Sequence, residues 1–192
     1  MARSFKVTSQ AAAEILTTAE AKTHLKVDTT ADDTYIDNLI KAATQSAQIF
    51  TNRFFIQTDI EQYGDNWNDI ATLFKSPVSS VTHIKYFDSD NTEQTLDATI
   101  YTTDLIHQPA RIGLQPNQSF PDLAERTNAI KVTYQVGYGT AASSVPEGIK
   151  QAVLLSIGNW YENRQNVVVG RSVNELPKSA QYLLEQYKVQ TI

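Results

Sequence analysis

The sequence contains no cysteine, which removes disulfides, thiolate zinc sites and a cysteine nucleophile by inventory. It has no apolar run near the roughly 18 to 20 residues that a membrane-spanning helix requires. The stretch from Met1 to Ala13 lacks the continuous apolar segment of a secretory signal. No membrane partner is expected, and the chain is expected to stay in the cytosol until it joins something. Basic residues are in the minority, 16 against 21 acidic ones, for a net charge of -5 and a pI near 5.2. A free-standing nucleic-acid binder draws its affinity from Lys and Arg neutralising phosphates, so this balance argues against one.

What is present is enough for one domain or two small ones at 192 residues, each able to bury a workable core. The first sixteen residues show no clear period and read as an arm. Thr17-Thr18-Ala19-Glu20 fits a capping box that opens a short helix. Asp28 to Asp33 is a second start signal, with acids where a helix dipole favours them. From there Ile36, Leu39, Ile40, Ala43, Ala47, Phe50 and Phe54 recur at three and four residues, which predicts a long amphipathic helix.

The period changes after Ile56. Ile60, Leu73-Phe74, Val81 to Phe87, Ile100 to Thr103, Ala110 to Leu114 and Ile130 to Tyr138 are short β-branched or aromatic stretches between turn-rich pieces. In the last, Ile130, Val132, Tyr134 and Val136 alternate with Lys131, Thr133 and Gln135, so one face should be buried and the other wet. Helical spacing returns at Val145-Pro146-Glu147, with Ile149, Val153, Leu154, Ile157, Trp160 and Tyr161 on an apolar face. Val167 to Glu175 reads as a loop or short strand, and Pro177 opens a last helix. The fold class expected is α+β: an arm over 1–16, a small helical bundle from 17–55 and 144–192, and an inserted antiparallel β unit over 56–143.

Catalytic and metal-binding patterns are missing from this order of residues. His24, His83 and His107 stand apart from one another and from carboxylates at ligand spacing. Asp88 to Glu93 resembles a calcium loop only until its sixth position, Glu93, where glycine belongs, and a β-turn explains it better. Gly137-Tyr138-Gly139 lacks the order that cradles phosphates and ends a predicted strand. The acids Asp28, Asp32, Asp33 and Asp37 are accounted for by helix capping and a solvated face. No Gly-x-Ser-x-Gly elbow exists, and no cofactor is implied. Trp67, within the polar run Asp65 to Asp69, is a candidate exposed anchor for a partner or a sugar.

Three stretches together resemble the head-tail connector family, the head-completion adaptors of long-tailed phages. The first is Leu16 to Asp28, running on through Asp32-Asp33 into Ile36, Leu39, Ile40, Ala42 and Ala43. The second is Val145 to Leu155, continuing into Gly158-Asn159-Trp160-Tyr161-Glu162-Asn163-Arg164, whose Trp-Tyr-Glu-Asn-Arg run is the most specific piece. The third is Glu175-Leu176-Pro177 with its terminal helix. Asn159 and Gln165 stand where members often carry His and Glu.

The resemblance implies a structural virion protein with no enzymatic role, found at the neck and in the host cytoplasm during assembly. It implies a ring of about twelve subunits, closed by cyclic symmetry, that binds the portal and extends the DNA channel without sequence-specific contacts. The far face would receive a stopper, tail-completion protein or other tail component. A portal-docking C-terminal segment points to Pro177, Tyr182, Leu183, Leu184 and Tyr187, although these residues serve equally to close the bundle. Arg164 could fork onto a neighbouring carboxylate across subunits or brace its own bundle, and with Trp67 it is a subunit-contact candidate. Other readings are a stopper or tail-completion protein, suggested by the large β unit, and a carbohydrate-binding module, suggested only by Trp67.

Overall fold

Thr17 closes the predicted capping box. Its hydroxyl accepts the Glu20 N–H at 3.2 Å while the Glu20 carboxylate accepts the Thr17 N–H at 2.7 Å, satisfying two orphan donors of α1 (Thr18–Leu25). The computed structural model, which describes residues 4–163 and 176–189, contains three further helices: α2 (Asp33–Thr51), α3 (Glu147–Glu162) and α4 (Lys178–Glu185). Pro146 and Pro177 occupy the N-cap positions of α3 and α4, where a missing N–H and a fixed φ are no handicap.

Helices from both ends of the chain form one helical unit over residues 13–52 and 141–188. α2 packs on α3, α3 on α4, and α1 on both α2 and α3. The predicted stripe of α2 is buried at Ile36, Leu39, Ile40, Ala43 and Ala47. The helix stops at Thr51 and does not continue to Phe54, because Asn52 adopts a left-handed φ of 54° and sends its N–H back to Gln48 and Ile49. Phe54 packs against the β unit instead.

The second unit holds residues up to 12 together with 53–140 and residue 189. Its strands are β1 (Ser4–Gln10), β2 (Thr58–Gly64), β3 (Val78–Phe87), β4 (Glu93–Thr95), β5 (Tyr101–Asp104), β6 (Arg111–Leu114) and β7 (Ile130–Val136). Five form an antiparallel sheet in the order β1-β2-β7-β3-β4, and β5 pairs with β6 as a separate ribbon.

The alternation read in β7 holds. Ile130, Val132, Tyr134 and Val136 are fully buried while Lys131, Thr133 and Gln135 reach solvent, and each inward side chain contributes about 1.5–3 kcal/mol relative to an exposed one. Leu73-Phe74 is not a strand. Leu73 is buried and its N–H reaches the Ala110 carbonyl at 2.9 Å, so its apolar character serves packing alone. The expected arm divides. Residues 4–10 form β1, paired along β2, while Ile15 and Leu16 are buried in the helical unit.

Candidate functional site

The C-terminal helix sorts the docking candidates by direction. Leu176, Ala180 and Leu184 recur every four residues and are buried, so this stripe of α4 is the one that closes the bundle. Tyr182, half a turn away from the stripe, is 82% exposed. Leu183 is half-buried. Tyr187 is half-buried as well, its ring close enough to α3 that a β-carbon on Gly148 would stand 2.8 Å from the phenol oxygen. Pro177 sets the helix start, and its carbonyl accepts the Gln181 N–H at 2.9 Å. Leu184 and Tyr187 therefore have packing roles within the subunit, and Tyr182 is the apolar ring left facing outward. Arg164, together with the segment Val167 to Glu175, lies outside the described residues.

Within the Trp-Tyr-Glu-Asn-Arg run, Tyr161 has a visible job in the helical unit. Tyr161 donates its hydroxyl to Asp32 Oδ2 at 2.6 Å and lies 6.1 Å from the Tyr35 ring, joining the end of α3 to the start of α2. The neighbouring acids are engaged too: Lys22 Nζ meets Asp33 Oδ1 at 2.7 Å, and Thr18 donates to Asp37. Side-chain pairing engages Asp32, Asp33 and Asp37, whereas the expected side-chain cap is not made: Asp32 stands at the N-cap of α2 without a cap hydrogen bond.

Trp67 is half-buried in the β unit rather than standing free. Its ring stacks on Phe120 at 4.3 Å and 6°, tilts against Tyr86 at 5.6 Å, and its Nε1 donates to the Pro121 carbonyl at 3.0 Å. The polar run around it is a turn scaffold. Asp69 Oδ2 accepts the N–H groups of Asp65 and Asn66, and Asp65 Oδ1 accepts that of Asn128 at 2.6 Å. Phe120 covers one face of the indole and Tyr86 tilts against it.

Two of the histidines make local contacts: His83 Nε2 lies 3.1 Å from Thr133 Oγ1, and His107 Nδ1 2.9 Å from the Pro109 carbonyl. Among the described residues no three His, Asp or Glu side chains are grouped so as to hold a metal ion. No described helix is long and apolar enough to cross a membrane. The Asp88 turn is as expected, with Asp88 Oδ1 accepting from Asp90 and Thr92.

Features outside the sequence-based candidates are Ile49 on α2, 73% exposed, Ile106 at the tip of the β5–β6 ribbon, 95% exposed, and the whole of β1. The ribbon tip is held by Asp104 Oδ1, which accepts the N–H groups of Ile106 and His107. Single exposed aliphatic residues leave no sequence signal, since exposure depends on what the fold happens not to cover.

Comparison with known proteins bears on the assembly. No curated protein sequence matches the chain significantly. Among solved structures it is similar to a chain of the virion of a native gene transfer agent particle, with a TM-score of 0.78 at 19% identity over 98% of this chain and 96% of that one. A chain from the neck of an empty particle of that kind, computed with C6 symmetry, gives 0.76 at 20% identity over 98% and 97%. A third, from the native neck computed with C12 symmetry, gives 0.71 at 19% over 98% and 97%. At these identities the likeness establishes a shared fold. The family model for head completion proteins matches residues 14–190, spanning both helical ends and the β unit between them. The chain belongs to the head completion protein family, and its role is that of a structural head-tail connector.

Proposed function

We propose that the chain is an adaptor that assembles in the virion neck as a cyclic ring of about twelve copies, bound beneath the portal. The ring extends the DNA channel and offers its far face to a stopper or tail-completion protein. The observation that carries this reading is the family match across residues 14–190. It gains support from the near-complete overlap with neck chains whose particles were computed with C6 and C12 symmetry. The charge of -5 per subunit suits a channel that does not retain phosphates, because every held phosphate adds salt-dependent affinity and slows passage.

Portal docking is assigned to the outward side of α4, with Tyr182 as the anchor and Leu183 beside it. An exposed tyrosine brings large contact area at little entropy cost, and such rings dominate interface energetics. Purified chain mixed with portal should give a complex by mass photometry. Tyr182→Ala should leave the melting temperature unchanged, since the ring is 82% exposed, and weaken portal binding by about tenfold or more. Undiminished binding by Tyr182→Ala would move the docking surface elsewhere, and a portal that takes up no wild-type chain would remove the adaptor reading.

A further inference from the structure

The five-stranded sheet ends in two strands that the fold leaves bare. All seven residues of β1 are exposed, as are all three of β4. An edge strand presents a row of N–H and C=O groups able to template another strand, and proteins blunt such edges unless they are used. β1 has no proline, and its one irregularity is a register shift between Val7 and Ser9. This leaves Ser4 to Val7 as a straight stretch, close in length to β4.

The faces of β1 point the same way. Residues directly opposite in a ladder share a face. Val7 and Phe5 oppose Ile60 and Gln62, both fully buried, so they lie on the core side of the sheet. Yet they are 42% and 41% exposed, because the layer that covers β2 stops short of them. Lys6 opposes Glu61 on the wet face. At the other edge Glu93 and Thr95 oppose Phe87 and Lys85, again on the wet face.

We propose that β1 of one copy of this chain pairs with β4 of the next, so that neighbouring subunits share a continuous sheet. This rests on the ring reading. A ring whose two faces meet different partners has cyclic symmetry and only heterologous contacts, so β1 must meet a different patch of its neighbour and not a second β1. The opposite edge of the same sheet satisfies that condition. Each neighbouring pair within the sheet is antiparallel, which makes β1 and β4 run in the same direction. Copies related by rotation about the ring axis then meet as a parallel pair.

Charge and face agree with this partner. The β1 edge carries Lys6, with Lys75 Nζ 5.0 Å from the Phe5 ring. The β4 edge carries Asp88, Asp90 and Glu93. Lys85 and Lys131 reach Glu93 at 2.8 and 3.7 Å and Arg126 lies against Asn91 and Phe87, while Asp88 and Asp90 form no ion pair among the described residues and are the acids left to meet a neighbour's lysine. Joining the edges sets Lys6 beside the Glu93 side on the common wet face, and brings Phe5 and Val7 beside Gln94 and the buried Leu96 on the core side.

The absence of cysteine allows the contact to be trapped without background. Lys6→Cys combined with Thr95→Cys, and Lys6→Cys combined with Glu93→Cys for the adjacent register, are assembled on portal and mildly oxidised. One of the two should give a ladder of dimers and higher multiples on a denaturing gel, and no single variant should. Val7→Asp, at a position 42% exposed, should cut the assembled fraction by about tenfold while the melting temperature of the free chain shows that it still folds. Rings counted by mass photometry without a ladder from either pair would overturn the strand contact alone, leaving the ring reading intact. Dimers from Lys6→Cys alone would replace the contact by a β1–β1 pair, and wild-type chain that forms no ring would remove both inferences.

Discussion

Gln62 braces the β unit from within its core. It lies on the inward side of β2, fully buried, where an unmatched amide would be costly. Its Nε2 donates to the Thr72 and Asp69 carbonyls at 3.0 and 3.3 Å, and its Oε1 accepts from the Phe74 N–H at 3.0 Å and the Tyr134 hydroxyl at 3.1 Å. One side chain thus fixes the irregular 69–74 segment against the sheet, which explains why Leu73-Phe74 needs no strand partner. Gln62→Leu keeps the volume but removes the acceptor shared by the Phe74 N–H and the Tyr134 hydroxyl and the donor to the Thr72 carbonyl, so it should destabilise the protein by about 1–3 kcal/mol, read as a lower urea midpoint with unchanged slope. Thr17→Ala removes the hydroxyl of the α1 capping box and should reduce stability by about 1 kcal/mol. The Thr17 N–H bound to the Glu20 carboxylate, followed by the Thr17 hydroxyl, holds that carboxyl below the usual glutamate range. A depressed carboxyl favours folding above its unfolded pKa and loses that contribution as pH falls through its folded value. The melting-temperature advantage of wild type over Glu20→Gln should therefore be widest at neutral pH and close in acid. A gap that widens in acid would reverse the assignment.

The elements differ in how plainly their residues announce them. The end of β7 is set by Gly137, whose φ of 113° places an added β-carbon 2.6 Å from the Ile56 carbonyl oxygen. Both the angle and the backbone contact refuse a side chain, so Gly137→Ala should lower stability by about 3 kcal/mol or more, measured by chemical denaturation. The glycine-flanked turn there was legible in the sequence, and so were β7 and α2, because each has one buried face that imposes its period. β1 was not legible for the converse reason. With both faces exposed, Phe5 and Val7 sit in a run whose alternation no burial enforces, and the stretch reads as an arm. The end of α2 was hidden because Phe50 and Phe54 continue the helical spacing across Asn52, and only the left-handed Asn52 reveals the stop. Within the candidate docking helix, Leu183 and Leu184 are indistinguishable as residue types. The four-residue recurrence of Leu176, Ala180 and Leu184 identifies the inward stripe once helix phase is known. The packing of Trp67 on Phe120 was not legible because its neighbours in the chain are the polar residues of a hydrogen-bonded turn.

At the scale of the whole molecule, charge opposes the proposed ring. A subunit charge of -5 becomes roughly -60 in a ring of about twelve, a field that repels each arriving copy. That repulsion acts over long distances, and the Debye length falls from about 30 Å at 0.01 M salt to about 8 Å at 0.15 M. Moderate salt should therefore promote ring formation. The pairing of the Lys6 edge with the Glu93 edge acts at contact distance, inside the screening length until ionic strength approaches about 1 M, where it shrinks to about 3 Å. The two ranges predict a ring fraction that rises from low salt to near-physiological salt and declines again toward molar salt. Mass photometry across a sodium chloride series on portal-bound chain measures it directly. A fraction that falls steadily from the lowest salt would mean that attractive contacts outweigh the net charge at every distance, and a fraction that climbs steadily to molar salt would mean that the subunit contact is apolar, with Phe5 and Val7 contributing more than Lys6.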